Sequence, residues 1–188
     1  MAHQRYHHLH LHLLLLLLLR VLTLSPFFLQ LSKLVAAENN NLIAIVCHVA
    51  EVPESCIQCL KSDPHSEIAD EVGIAIILMN CLTDHIDALE NNMSKIAAVS
   101  KDKSTVNLFQ NCSKDYATAR KYLNSAITSL KSGKYDAAET SVTLALKFDT
   151  DCHFKIVSFK KKISHKIAFE IKLFEDLCQA ANRIIERL

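Results

Sequence analysis

Seven cysteines carry most of the chemistry available to this sequence of 188 residues. Cys56-x-x-Cys59, with Cys47 and His65 nearby, supplies four donors that could form a tetrahedral zinc site. A second knuckle of matching spacing is missing. The same Cys-x-x-Cys could be a redox dithiol, but the strand–helix–strand pattern that normally carries one is absent. Disulfides are the remaining chemistry, and they require an exported chain. Cys47 and Cys56 lie on either side of a bend at Val52-Pro53, the arrangement of a local bridge. Cys112 and Cys152 stand at the two ends of a segment that reads as a helical hairpin. Cys59, Cys81 and Cys178 are left over, an odd number, so at least one thiol is free or intermolecular.

Other residue types do not converge on a reaction. Asp84 and Asp87 lie one turn apart, as paired carboxylates might, with His85 between them, but their neighbours are polar and the face reads as solvated. His48, His65, His153 and His165 have no serine or cysteine at a recognised catalytic spacing. Only two glycines occur, Gly73 and Gly133, so there is no glycine-rich phosphate loop. The expectation is a protein without catalytic residues, metal or cofactor.

The elements that position the cysteines follow from apolar periodicity. Phe109, Cys112, Tyr116, Ala119, Leu123, Ala126 and Leu130 recur at steps of three and four, as do Tyr135, Ala138, Val142, Ala145 and Phe148. Ser132-Gly133 separates the two stripes, with glycine suited to the left-handed position past a helix end. Each arm is about 19–20 residues, or roughly 29 Å at the helical rise. Folding at Gly133 therefore brings Cys112 level with Cys152, within the roughly 7 Å that a disulfide spans.

The first 37 residues differ in kind. They hold Arg5, Arg20, Lys33, His3, His7, His8, His10, His12 and an unbroken Leu13–Leu19, with no acidic residue before Glu38. Val35-Ala36-Ala37 supplies the small residues of a cleavage site. Residues 1–37 read as a secretory signal peptide; Arg20 and Pro26 count against a membrane span. Removing it leaves 18 basic residues against 20 acidic, a balance that gives no reason to expect nucleic acid.

Residues 38–66 form a short N-terminal helical hairpin broken at Pro53, with Asn39-Asn40-Asn41 able to cap its start. Ile68, Val72, Ala75, Met79, Leu82, Ile86, Leu89, Met93 and Ile96 mark a helix of almost thirty residues. Ile163, Ile167, Ile171, Phe174, Cys178, Ala181 and Ile185 mark the last. With the hairpin between, residues 67–188 make an antiparallel four-helix bundle, and 38–188 together are one all-α domain with two disulfides. Cys178 falls on the core stripe and reads as a small buried residue. Lys155, Lys160, Lys161, Lys162 and Lys166, with His153 and His165, form a basic run. It is either a solvated face or a surface drawn to an acidic polymer or an acidic protein. Asn92-Met93-Ser94 is a glycosylation sequon; Asn111-Cys112-Ser113 is a weaker one if Cys112 is paired.

These landmarks resemble the plant invertase and pectin methylesterase inhibitor family over the whole region after the leader. The resemblance rests on Cys47 and Cys56, PESCIQCLKSDP (Pro53–Pro64) and Leu108–Tyr116. It continues through SGKYDAAETSVTLAL (Ser132–Leu146), Cys152 and LCQAANRII (Leu177–Ile185). CLKSDP followed by Ala69-Asp70 is most similar to the pollen-allergen branch. The family's pairing, first cysteine with second and third with fourth, falls on Cys47–Cys56 and Cys112–Cys152. Two positions depart from the pattern: His153-Phe154-Lys155 replaces an acidic residue, glycine and phenylalanine, and Val52 stands where tyrosine is usual. The Pro-Lys-Phe tripeptide that some invertase inhibitors place in their target's active site is absent.

The resemblance implies a secreted inhibitor of a pectin methylesterase (pectinesterase) or an acid invertase. It would bind one-to-one, occlude the substrate cleft and do no chemistry, in the apoplast and cell wall or the vacuole. No membrane attachment is expected after the leader is removed. A reading of a different class is a non-inhibitory secreted helical protein, structural or signalling. The sequence leaves the target and the interface residues open.

Overall fold

The computed structural model describes Gln30 and residues 42–48, 53–160 and 163–188. The expected leader, apart from Gln30, lies outside the described residues, as do Asn39-Asn40-Asn41 and Val52. Every secondary-structure element among the described residues is a helix. Residues 42–47 form a short helix, α1. It is followed by α2 (Pro53–Ser62), α3 (Glu71–Val99), α4 (Lys103–Lys131), α5 (Tyr135–Ser158) and α6 (His165–Ile185). Helices α3 to α6 form an antiparallel bundle in which α3 packs on α4, α4 on α5, α5 on α6, and α6 closes the ring against α3; α2 lies on α3.

Helix starts follow the side chains available. Pro53 opens α2 at the position where its missing N–H costs nothing. Asp70 caps α3 by accepting the Gly73 N–H at 2.8 Å, and Asp102 caps α4 by accepting that of Thr105 at 3.0 Å. Ser164 caps α6 by accepting from Ile167 at 3.3 Å. At the end of α4, Gly133 takes φ 66°. Its N–H donates to Leu130 O at 3.1 Å, and the Lys134 N–H donates to Ser129 O at 2.9 Å. That pair of bonds is a Schellman motif, which satisfies the last carbonyls of α4 and turns the chain back as α5.

The core is the set of stripes that face inward. Every member of the α4 stripe from Phe109 to Leu130 is buried, as are Ala75, Met79, Leu82, Ile86, Leu89 and Met93 of α3. The apolar length of α3 would suffice to cross a membrane, but here it is the helix that α2, α4 and α6 all pack against. The stripes run past the helices at two points. Ile68 precedes α3 and is exposed, and Ile163 precedes α6.

Polar contacts tie each neighbouring pair in the ring. Arg120 of α4 donates to Asp87 of α3 at 2.9 Å and lies 3.3 Å from Glu90. Lys155 of α5 meets Asp115 of α4 at 2.7 Å. His153 Nδ1 of α5 lies 3.2 Å from Glu175 of α6, and His85 Nδ1 of α3 lies 2.9 Å from Glu170 of α6. Such half-exposed pairs contribute at most about 1 kcal/mol each, so the core stripes hold the bundle and these contacts set its register.

Three disulfides are present, not the two expected. Cys47–Cys56 joins α1 to α2 with Cα atoms 5.5 Å apart, and Cys112–Cys152 joins α4 to α5 at 5.1 Å. The third, Cys59–Cys81, joins α2 to α3 at 6.1 Å. Its cause is packing: α2 buries Cys56, Cys59 and Leu60 toward α3, which carries Cys59 to the side of Cys81. Spacing within one stretch of chain could not reveal a bridge between two helices whose contact is tertiary.

Candidate functional site

The residues that could do chemistry are dispersed or consumed. Cys47, Cys56 and Cys59 are all in disulfides, so the thiolates a zinc or redox site would need are gone. Among the described residues no group of three or more histidine, cysteine or acidic side chains forms a metal cluster. Asp87 is engaged by Arg120 and His85 by Glu170, while Asp84 faces solvent, so the carboxylate pair is a solvated and tied surface. His65 lies 2.9 Å from Asp63, and its backbone N–H holds the Asp63 carboxyl below its ordinary range. His165 is exposed at the start of α6. Nothing here aligns a nucleophile with a base.

What the sequence does assemble is a rigid hairpin. Helices α4 and α5 pack along their length, Tyr122 stacks on Phe148 with centroids 5.8 Å apart, and Cys112–Cys152 clamps the end remote from the turn. At the turn, Gly133, Lys134, Tyr135, Asp136 and Ala137 line an open groove of 460 Å³. Lys134 projects into solvent and Tyr135 rests half-buried against the core. A surface of this kind, pre-ordered before contact, loses little conformational entropy on binding a protein.

Beneath the clamp lies a polar centre that the apolar stripes did not announce. Asp149 on α5, Tyr116 on α4 and Cys178 on α6 are all fully buried. The Asp149 oxygens and the Tyr116 hydroxyl are near enough to interact but lie outside hydrogen-bond geometry. Burial pushes the Asp149 carboxyl well above its ordinary range, and the nearby charge of Glu175 pushes it further. Burial likewise raises the Tyr116 phenol and the Cys178 thiol, with Asp149 adding to both. Cys178 is thus an inert packing residue, as its stripe position suggested, and the one free cysteine among the described residues. The signal for Asp149 was present in the sequence. It falls four residues after Ala145 and three before Cys152, on the same face.

The fold agrees with the comparisons to known proteins. Residues 41–184 match the family model for plant invertase/pectin methylesterase inhibitors. The chain belongs to this family. An Arabidopsis thaliana relative, cell wall / vacuolar inhibitor of fructosidase 2, is 29% identical over 84% of this chain and 89% of its own length. The pectinesterase inhibitor of Actinidia deliciosa is 27% identical over 84% of this chain and 83% of its own. A putative invertase inhibitor of Platanus acerifolia is 27% identical over 52% of this chain and 54% of its own. Among solved structures, a mutant form of a pectin methylesterase inhibitor from Arabidopsis superposes with a TM-score of 0.66 at 18% identity. That match covers 78% of this chain and 96% of the other, and it fixes the family fold.

Proposed function

We propose that this protein inhibits a carbohydrate-acting enzyme, a pectin methylesterase or an acid invertase, by binding it one-to-one and covering its substrate cleft. The observation that carries the reading is the family match over residues 41–184, together with relatives named for inhibition of each enzyme. The clamped α4–α5 hairpin supports occlusion, because a stiff helical face can seat on a cleft without rearranging. A stable complex of this kind buries about 1,200–2,000 Å² in total. In this reading residues 1–37 are removed on export and the protein works in the cell wall or vacuole. Asn92, half-buried on α3, carries a glycan, and a weak contact with acidic pectin accompanies inhibition.

Titration of the disulfide-intact protein against both enzymes at mildly acidic pH tests the proposal. A break in activity near equimolar ratio with one of them names the target. Full activity of both at tenfold excess, from a folded helical sample, would leave the non-inhibitory reading in its place.

A further inference from the structure

Asn111 of α4 is exposed, and its side chain enters no hydrogen bond among the described residues. It opens the sequon Asn111-Cys112-Ser113, whose Cys112 is buried in the bridge to Cys152. In the folded chain this sequon is closed to modification. Its backbone is helical, and Ser113 Oγ lies 2.9 Å from Ser94 Oγ of α3. During export it is open. The four cysteines ahead of it pair among themselves, as Cys47–Cys56 and Cys59–Cys81. Cys112 must wait for Cys152, which follows 40 residues later. At about 5–20 residues per second that delay is roughly 2–8 s, during which the sequon is presented with a free thiol.

The surface beside Asn111 supplies a second observation. Asp115 meets Lys155 across the α4–α5 seam at 2.7 Å. Because the two helices run antiparallel, one turn back along α4 is Asn111 and one turn further along α5 is Phe159. The chain still follows the helical turn there, since the Phe159 N–H donates to Lys155 O at 3.0 Å. Phe159 is 53% exposed, and Phe154, on the adjoining outward side of α5, is 72% exposed. An exposed amide and an exposed phenyl ring thus flank the same seam at the clamped end of the hairpin.

We infer that Asn111 carries an N-linked glycan whose first sugars cover Phe159 across the α4–α5 seam. The inference rests on the export proposed above and adds a second site to Asn92. In the transfer, Asn111 Nδ2 attacks the anomeric carbon of an oligosaccharide carried on a polyprenyl pyrophosphate. An N–C bond forms, the C–O bond from sugar to pyrophosphate breaks, and the pyrophosphate leaves with that electron pair. The nitrogen gives up one proton to a base of the transferase. The linking sugar then presents a face of C–H bonds to the phenyl ring, whose π surface receives it. A weak contact suffices, because the covalent tether holds the sugar at high effective concentration. The glycan lies at the opposite end of the hairpin from the α4–α5 turn, so it leaves that turn open.

The full chain, secreted from a eukaryotic host, tests the site. An N-glycosidase converts each occupied asparagine to aspartate, which peptide mass spectrometry locates. Aspartate is expected at position 111 in the wild type. Asn111→Gln and Ser113→Ala should each lose the mass of one glycan, while Ser113→Thr keeps it. These side chains lie at the surface, and unchanged circular dichroism confirms folding. Removing glycan from the folded protein should raise the fluorescence of a hydrophobic dye, and Phe159→Ser should abolish that rise. Asn111 recovered unmodified from an exported chain sinks the site, whatever Asn92 carries. A chain that keeps residues 1–37 and bears no glycan sinks export and the site together. An occupied Asn111 whose deglycosylation leaves dye binding unchanged overturns the cover on Phe159.

Discussion

Asp149 faces Tyr116 across the α4–α5 interface, three residues before the clamp at Cys152, and neither side chain reaches solvent. The carboxyl therefore titrates above its ordinary value of 3.8 in the folded chain. The folded state holds this proton more tightly than the unfolded state. Its stabilising contribution is complete below about pH 3.8 and is lost as pH rises through the folded value. Asp149→Asn removes the dependence. Thermal melts at pH 4 and pH 7 should show wild type losing stability toward neutrality, and the variant losing less. Parallel melts would mean that Asp149 is already ionised in the fold.

The three disulfides close loops of different length, with sequence separations of 9, 22 and 40. In the chain-entropy account, removing each by double alanine substitution costs roughly 2.7, 3.4 and 3.9 kcal/mol in that order. Denaturant midpoints of the three double variants should rank accordingly, with Cys112→Ala/Cys152→Ala lowest. If Cys47→Ala/Cys56→Ala were the most damaging, docking of α1 and α2, and not loop entropy, would dominate.

Thiol counting checks the correction at Cys59 and Cys81. Native protein should not react with a maleimide, because Cys178 is enclosed. Unfolded but unreduced protein should take up one label per chain. Three labels would leave Cys59 and Cys81 as thiols.

The two glycines should fail differently. Gly133 has φ 66° and no atom within 4 Å of an added Cβ, so Gly133→Ala costs only the backbone penalty of about 1 kcal/mol. Gly73 is helical, and a Cβ there would meet the Ala69 Cβ at 2.9 Å and Asp70 Oδ1 at 3.2 Å. Gly73→Ala must therefore push on the Asp70 cap, and its loss in Tm should exceed that of Gly133→Ala.

The bundle was legible because its stripes are nearly pure. The α4 stripe predicts every buried position from Phe109 to Leu130, and Gly133 marks the turn that makes Cys112 and Cys152 neighbours. Two features resisted reading for opposite reasons. Cys81 sits on the α3 flank, one residue before the stripe position Leu82, so only the docking of α2 identifies its partner. Asp149 occupies a core position, but its charge in the sequence argues for the surface, and the apolar periodicity leads to half-buried Phe148 instead.

The disulfide map divides the bundle unevenly. Covalent bonds chain α1 to α2 to α3 and separately fasten α4 to α5, while α6 is held by none. Its contacts are the buried face from Ile171 to Ile185, the two histidine–glutamate pairs, and the Asn182–Thr143 bond at 3.3 Å. Oxidation thus protects the first five helices from partial opening without protecting the sixth. Heat or denaturant should release α6 as a separate unit before the rest yields. Its backbone amides would then exchange with deuterium ahead of those in α4 and α5, and a protease would find its first cut there.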